Sequence, residues 1–248
     1  MTRVFCVVNQ KGGVGKTTTS IALADGLAKS GARTLLIDLD PQCNATSGVG
    51  FTPVIEHPLV SGRRIADSVD ETRVPGLDLL AGTRNFSDIE ILAHGDKAIL
   101  DRIRKQLTQE IRGYEYVVID CPPSKERLTQ LALECSSEVL MPIQCEYFAM
   151  EGMVQMLEVI GEVMGRSNVQ LEFGGIVLTM YDHTLELTAE VETEVRDFFG
   201  EVVFQSVIPR DVAVSEAPSH GLSVLDYAPR SRGARAYLEL CMEILERV

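Results

Sequence analysis

Basic residues are scarce in this chain: 23 Lys and Arg stand against 36 Asp and Glu over 248 residues, for a formal net charge of −13. That balance excludes a generally basic surface that grips nucleic acid by charge alone. Long apolar runs are missing too, since no stretch approaches the about 18 consecutive apolar residues of a spanning helix. The start, MTRVFCVVNQ, has neither a charged leader nor a cleavage site, which predicts a cytoplasmic protein. Cysteine is present but unorganised: Cys6, Cys43, Cys121, Cys135, Cys145 and Cys241 form no CxxC pair and no metal-like spacing. Reduced, buried thiols are the expectation. No internal repeat or low-complexity linker divides the sequence, and its length suits one large domain over 1–248.

Short apolar runs alternate with amphipathic stretches. Val4–Val8, Thr34–Ile37, Leu77–Leu80, Tyr116–Ile119, Val139–Ile143, Ile176–Leu178 and Val202–Ile208 read as buried strands. Helical patterns cover Lys16–Ser30, Lys97–Ile111, Arg127–Cys135, Met150–Met164, Leu185–Phe199 and Gly233–Val248. The alternation predicts an α/β fold, a largely parallel twisted sheet with helices on both faces, whose ligands sit at the carboxyl ends of the strands. Pro53, Pro58, Gly62 and Pro75 mark Phe51–Pro75 as an irregular excursion. Charge is uneven as well. From Leu128 to Pro209 two basic residues, Arg166 and Arg196, face fourteen acidic ones, a balance of −12. A solvated surface explains such a run most simply.

Three segments, each just after an apolar run, converge on one kind of chemistry. The first is NQKGGVGKTTT, residues 9 to 19, between a strand and a helix. Gly15, Lys16 and Thr17 satisfy the end of a P-loop, while Gln10 stands where its first glycine belongs. Gly12, Gly13 and Gly15 let backbone N–H groups approach phosphate, Lys16 reaches the outer phosphates and Thr17 offers a hydroxyl to Mg²⁺. Val14 and Thr18 complete the cradle. Lys11 adds a second cation, and one site rarely needs both. The second segment, LLIDLDPQCNATSG, places Asp38 and Asp40 two apart on an extended backbone, where both can hold metal-bound water or orient an attacking one. Asp38 alone also suits a turn or a cap. In the third, YVVIDCPPS, Asp120 ends a β-branched run like a Walker B carboxylate. A P-loop NTPase fold follows, with a nucleotide's phosphates and Mg²⁺ at the site and Thr17, Asp38, Asp40 and Asp120 as candidate metal ligands.

These residues resemble the ParA family of deviant Walker-A ATPases, most of all its chromosomal Soj-type members. Further matching strings are MPIQCEYFAMEGM, LTMYD, IPRDVAVSEAPSHG and YAPRSRGARAYLEL, so the similarity covers almost the whole chain. The resemblance implies slow, partner-stimulated ATP hydrolysis in partition or intracellular positioning, by a homodimer that sandwiches two ATP molecules. Lys11 resembles the signature lysine that crosses to the partner's nucleotide, and Gly12 the glycine that lets two loops pack together. Asp40 resembles the residue needed for hydrolysis, and Pro209 and Asp211 fall where similar proteins bracket adenine and ribose. The implied activator is a basic segment of a ParB-like or cargo-adaptor protein, which the acidic third of the chain would attract.

The chain departs from the family pattern at three places. Thr184, in MYDHTLEL, and Ala213, in PRDVAVSEAPS, replace two arginines implicated in sequence-independent DNA binding, so that binding is in doubt. Cys43 stands where the family usually has glycine. Two related functions are weighed against partition. A MinD-like membrane ATPase needs an amphipathic C-terminal helix with a basic face, but Glu239, Glu243 and Glu246 lie opposite the apolar face of the last helix, which favours core packing and no membrane. An iron-protein-like reductase needs cysteines in Gly-rich loops, and neither DCPPS nor IQCEYF has that context.

Overall fold

Successive residues of the apolar runs go to opposite sides of one sheet, and both sides are buried. In strand β1 (Arg3–Val7), Val4 and Cys6 enter one hydrophobic core while Phe5 and Val7 enter the other. Double burial explains why these strands read as continuous apolar runs. The structure is a computed structural model that describes residues 2–86, 97–124, 127–146, 149–166 and 170–247. Tyr147 and Phe148 of the MPIQCEYFAMEGM string, and Val248, lie outside the described residues.

The remaining strands are β2 (Thr34–Asp38), β3 (Asp70–Glu71), β4 (Leu77–Leu80), β5 (Tyr116–Asp120), β6 (Glu138–Gln144), β7 (Glu172–Tyr181) and β8 (Val203–Pro209). Their order is β3-β4-β2-β5-β1-β6-β7-β8, parallel throughout except for β3 against β4. The expected parallel sheet is present, and every predicted strand has its counterpart. The excursion from Phe51 to Pro75 is more ordered than its prolines suggest. It holds the short helix α3 (Pro58–Ser61), a 3₁₀ turn (Ile65–Asp67) and the antiparallel edge strand β3, whose two residues are too few to show a periodicity.

Helices cover both faces. On one lie α1 (Lys16–Lys29), the short α2 (Asn44–Gly48) and the last helix, α10 (Arg232–Glu246). On the other lie α4 (Lys97–Lys105), extended by a π turn over Gln106–Glu110, then α5 (Arg127–Cys135), α6 (Ala149–Met164) and α7 (Glu186–Phe199). Between β8 and α10 come α8 (Val212–Glu216) and α9 (Val224–Tyr227). The apolar face of α10 is spent on the core: Tyr237, Leu240, Cys241 and Ile244 are buried, and the Tyr237 hydroxyl lies 3.1 Å from the Thr19 hydroxyl of α1. Among the described residues no helix is long and apolar enough to cross a membrane.

This topology sets the place of the site. The chain leaves β1 toward β2 and β5 on one side and later toward β6 on the other, so a crevice opens at the carboxyl end of β1. In register there, Val7 pairs with Asp120 and Asp120 with Asp38.

Candidate nucleotide-binding site

The loop from Val8 to Gly15 is pinned before it can hold anything. Asn9, buried, donates through Nδ2 to the Pro142 carbonyl at 2.8 Å and accepts the Lys11 N–H at 3.0 Å. On the far side the Thr179 hydroxyl donates to the Val14 carbonyl at 2.8 Å, tying the loop to the end of β7. Gly13 and Gly15 have φ of 74° and 89°, a left-handed backbone that glycine adopts at little cost. Gly15 caps α1 without any side chain, so the first N–H groups of that helix point into the cradle. Val14 is buried, and Thr18 is half-buried in the first turn.

The two loop lysines diverge. Lys16 is 6 % exposed and donates through Nζ to the Lys11 carbonyl at 3.2 Å, so its ammonium lies across the mouth of its own loop. Burial pushes that ammonium down, while Asp120 and Asp40 pull it up. Lys11 turns outward, with Nζ 3.5 Å from Glu146 Oε2, and Arg210 approaches the other oxygen of Glu146 at 3.9 Å.

Beneath the loop sits a buried acid. Asp120 accepts the Thr17 hydroxyl at 2.8 Å and the Ser20 hydroxyl at 2.9 Å. Burial pushes its carboxyl up to about 8; Asp38 alongside adds to the rise, and the two hydroxyls oppose it. Burial likewise raises Asp38 to about 6, against hydrogen bonds from Thr46. Such elevated carboxyls, in a nest of hard oxygen donors beside a P-loop, are the environment a divalent cation relieves.

The candidate metal set divides in the folded chain. Thr17 and Asp120 meet directly. Asp38 has no exposed surface and is occupied otherwise: Oδ2 accepts the Thr46 N–H and hydroxyl at 2.8 and 2.7 Å, and Oδ1 accepts the Asp40 N–H at 3.1 Å. The turn-and-cap alternative describes these contacts. Asp40 uses one oxygen for the Gln42 N–H at 2.8 Å. Among the described residues no group of three or more His, Cys, Asp or Glu side chains gathers as a metal site. A magnesium centre that takes most of its ligands from phosphate and water needs only one or two from protein.

Pro209 ends β8 in register with Tyr181, two residues beyond Thr179. Asp211 is a brace: Oδ1 accepts the Ala213 N–H and caps α8, and Oδ2 accepts the Gly233 N–H of α10 at 2.9 Å. Cys43 gains a physical account here. It has φ of 53° at the entry to α2, a left-handed conformation that glycine would enter freely. Cys121 and Cys145 are buried, and Cys121 lies with its sulfur 3.4 Å from that of Cys6. Their thiols are raised, Cys121 foremost by its contact with Cys6 and Cys145 by burial, so neither stands ready in an open loop to hold a shared cluster.

Residues 2–173 match a family model described as an AAA domain. The chromosome partitioning protein ParA of Caulobacter vibrioides is 43 % identical, over 99 % of this chain and 94 % of that protein. The chain belongs to the ParA/Soj family of ATPases. Within that family, Bacillus subtilis Soj, a sporulation initiation inhibitor protein, is 41 % identical over 98 % of each chain. Among solved structures, cobyrinic acid a,c-diamide synthase of Mycobacterium smegmatis, with a bound ATP analogue and magnesium, superposes with a TM-score of 0.86 at 30 % identity, covering 100 % of this chain and 96 % of that one. The ATP complex of Cyanothece McdA reaches the same TM-score of 0.86 at 17 % identity, over 99 % and 96 % of the two chains, a likeness of fold.

Several residues that build this ParA/Soj site escaped the sequence reading. Ser20 lies one turn after Lys16 and Thr17, so helical spacing from the motif could have found it. Asn9, Thr46, Glu146 and Thr179 act from four different segments, and only the sheet order brings them together.

Proposed function

We propose that this ParA/Soj-type ATPase is a cytoplasmic dimerisation switch for partition or positioning of a cargo, in which two copies close on ATP and Mg²⁺ and reopen after slow hydrolysis. The divergence of Lys11 from Lys16 carries the reading. Lys16 serves its own loop, whereas Lys11 stands on the rim against Glu146, where it can exchange a carboxylate for phosphate of a second copy. Gly12 supports it too. A Cβ there would meet nothing within 4 Å and its φ is not positive, so nothing inside one copy asks for glycine.

In this reading Gly12 to Thr18 cradle phosphate, Lys16 and the partner's copy of Lys11 stabilise its charge, and Asp40 orients the attacking water. Thr17 and Asp120 would hold magnesium, whose charge would offset that of the outer phosphates. Asp38 positions the Asp40 loop through Thr46, and Pro209 and Asp211 flank the base and sugar. A basic segment of a ParB-like or cargo-adaptor protein stimulates turnover. Thr184 is folded into a turn on Asp182, and with Ala213 it leaves the family's DNA grip short of two cations. Steep salt dependence of tight, ATP-dependent duplex binding would overturn that last point, with the exposed Arg210, Arg230, Arg232 and Arg235 then the cations to test.

Sedimentation with ATP and Mg²⁺ tests the switch. The parent should dimerise, Lys11→Ala should stay monomeric while still binding a fluorescent ATP analogue, and Asp40→Ala should remain a dimer with hydrolysis lost. A Lys11→Ala protein that dimerises like the parent sinks the reading.

A further inference from the structure

Two hydroxyls hold Asp120, and they stand at different depths. Thr17 donates to Oδ2 at 2.8 Å from the first turn of α1, at the half-buried edge of the cradle. Ser20 donates to Oδ1 at 2.9 Å from nearly one turn further along, and neither Ser20 nor Asp120 has any exposed surface. Each oxygen of the acid thus has its own hydroxyl. The spacing of three puts both donors on one face of the same helix.

Position 20 could be filled more simply. A serine inside a helix ordinarily bonds the carbonyl four residues back, and the Ser20 hydroxyl does lie 3.0 Å from the Lys16 carbonyl. It has one proton, so the two acceptors compete for it. The Lys16 carbonyl is already supplied with a backbone N–H by the helix itself, while a carboxylate is the stronger acceptor and, when buried, the costlier one to leave without a donor. The proton belongs to Asp120. Alanine would pack in the same place with better helix propensity and no hydroxyl to bury, and the next four residues, Ile21, Ala22, Leu23 and Ala24, are all buried and apolar. The acid beside it accounts for a hydroxyl at this depth.

We infer that Ser20 is a positioning residue for the magnesium site: its hydroxyl fixes Asp120 Oδ1 from beneath and keeps Oδ2 turned toward Thr17. Thr17 is the hydroxyl at the cradle, where a cation arrives; Ser20 is the one that stays with the acid throughout. It touches neither metal nor nucleotide and acts through Asp120 alone. Because the role rests on the reading in which Asp120 helps to hold magnesium, and not on dimerisation, a diphosphate bound to a single copy suffices to test it.

The probe is a fluorescent ADP analogue, titrated against the full chain in EDTA and over a series of magnesium concentrations. Ser20→Ala should bind it in EDTA within about twofold of the parent, yet need about tenfold more magnesium for half-maximal tightening, the scale of one hydrogen bond to a charged group. Ser20→Thr keeps the hydroxyl and should bring the magnesium requirement back to within about threefold of the parent. A double-mutant cycle separates this role from a general effect on the helix, since a residue that acts through a carboxylate has nothing left to act on once the carboxylate is gone. Asp120→Ala should raise the magnesium requirement roughly tenfold or more, and adding Ser20→Ala to it should change the requirement by less than about twofold. Circular dichroism checks each fold. A requirement raised in Asp120→Ala but parental in Ser20→Ala would overturn the role of Ser20 and leave the magnesium assignment standing. Equal weakening by Ser20→Ala in EDTA and in magnesium would overturn it as well, because Ser20 would then serve the loop through the Lys16 carbonyl. An Asp120→Ala chain with the parental requirement would sink the magnesium assignment, and the role of Ser20 with it.

Discussion

Asp38 and Asp120 are neighbours on adjacent strands with no exposed surface, whereas Glu186, Glu190 and Glu194 repeat along the outside of α7 in open solvent. The chemical group is the same in both regions and its behaviour is opposite. Under the loop, burial raises the carboxyls to about 6 and 8, and each oxygen of Asp38 and Asp120 has a hydroxyl or an N–H assigned to it. Among the described residues the outer carboxylates of α7 have no ion-pair partner, and they are exposed to water. A buried acid must be matched by its own fold or by a ligand cation, while an exposed one can wait for an external partner at small cost.

The sharpest break of that comparison lies under the loop. Lys16→Gln removes a buried cation that feels the charge of Asp120 and Asp40, and hydrolysis measured by phosphate release should fall about 100-fold or more, the scale of losing one aimed donor. The next prediction concerns pH. Since Asp120 is raised in the folded chain from 3.8 to about 8, its contribution to stability is complete below pH 4 and is lost as pH rises through about 8. Asp120→Asn should therefore gain in melting temperature over the parent across that window when magnesium and nucleotide are absent, and the gain should shrink when both are added. A parent and variant that melt in parallel across pH would show that the buried acid is not strained.

Smaller effects follow at Cys43 and on α7. A β-branched residue in a left-handed conformation is strained, so Cys43→Val should lose about 2 kcal/mol in urea unfolding. Cys43→Gly, relieved of strain but deprived of a buried thiol, should lie within about 0.5 kcal/mol of the parent. On α7, Glu190→Gln removes repulsion from both neighbours in the column and should stabilise the chain by about 0.3 kcal/mol. A clear loss there would mean that the outer acids do have partners in the folded chain.

Much of the fold and the core of the site were legible in the linear order of residues. Seven of the strands and the long helices announced themselves because burial on both sheet faces makes strands uniformly apolar and helices periodic. The candidate residues Gly13, Gly15, Lys16, Thr17 and Asp120 were legible because a P-loop pattern is local and an acid that ends a β-branched run resembles a Walker B carboxylate. What could not be read were pairings across segments. Thr179 holding Val14, Thr46 holding Asp38 and Glu146 holding Lys11 join residues far apart in the chain, and no spacing rule encodes them. Cys43 was visible as an oddity, and only its φ of 53° said why glycine would be at home there.

The sequence by itself determined the family, the altered loop with its second lysine, and the acidic excess from Leu128 to Pro209, since each is a matter of residue type and order. Tertiary structure alone decided which acids are buried beside Lys16 and which are left bare, that Asp38 is committed to Thr46, and that the two lysines of one short loop point to different places. Those outcomes depend on distances between strands that the chain order does not contain, and on burial, which turns one carboxylate into a strained buried acid and leaves another open to solvent.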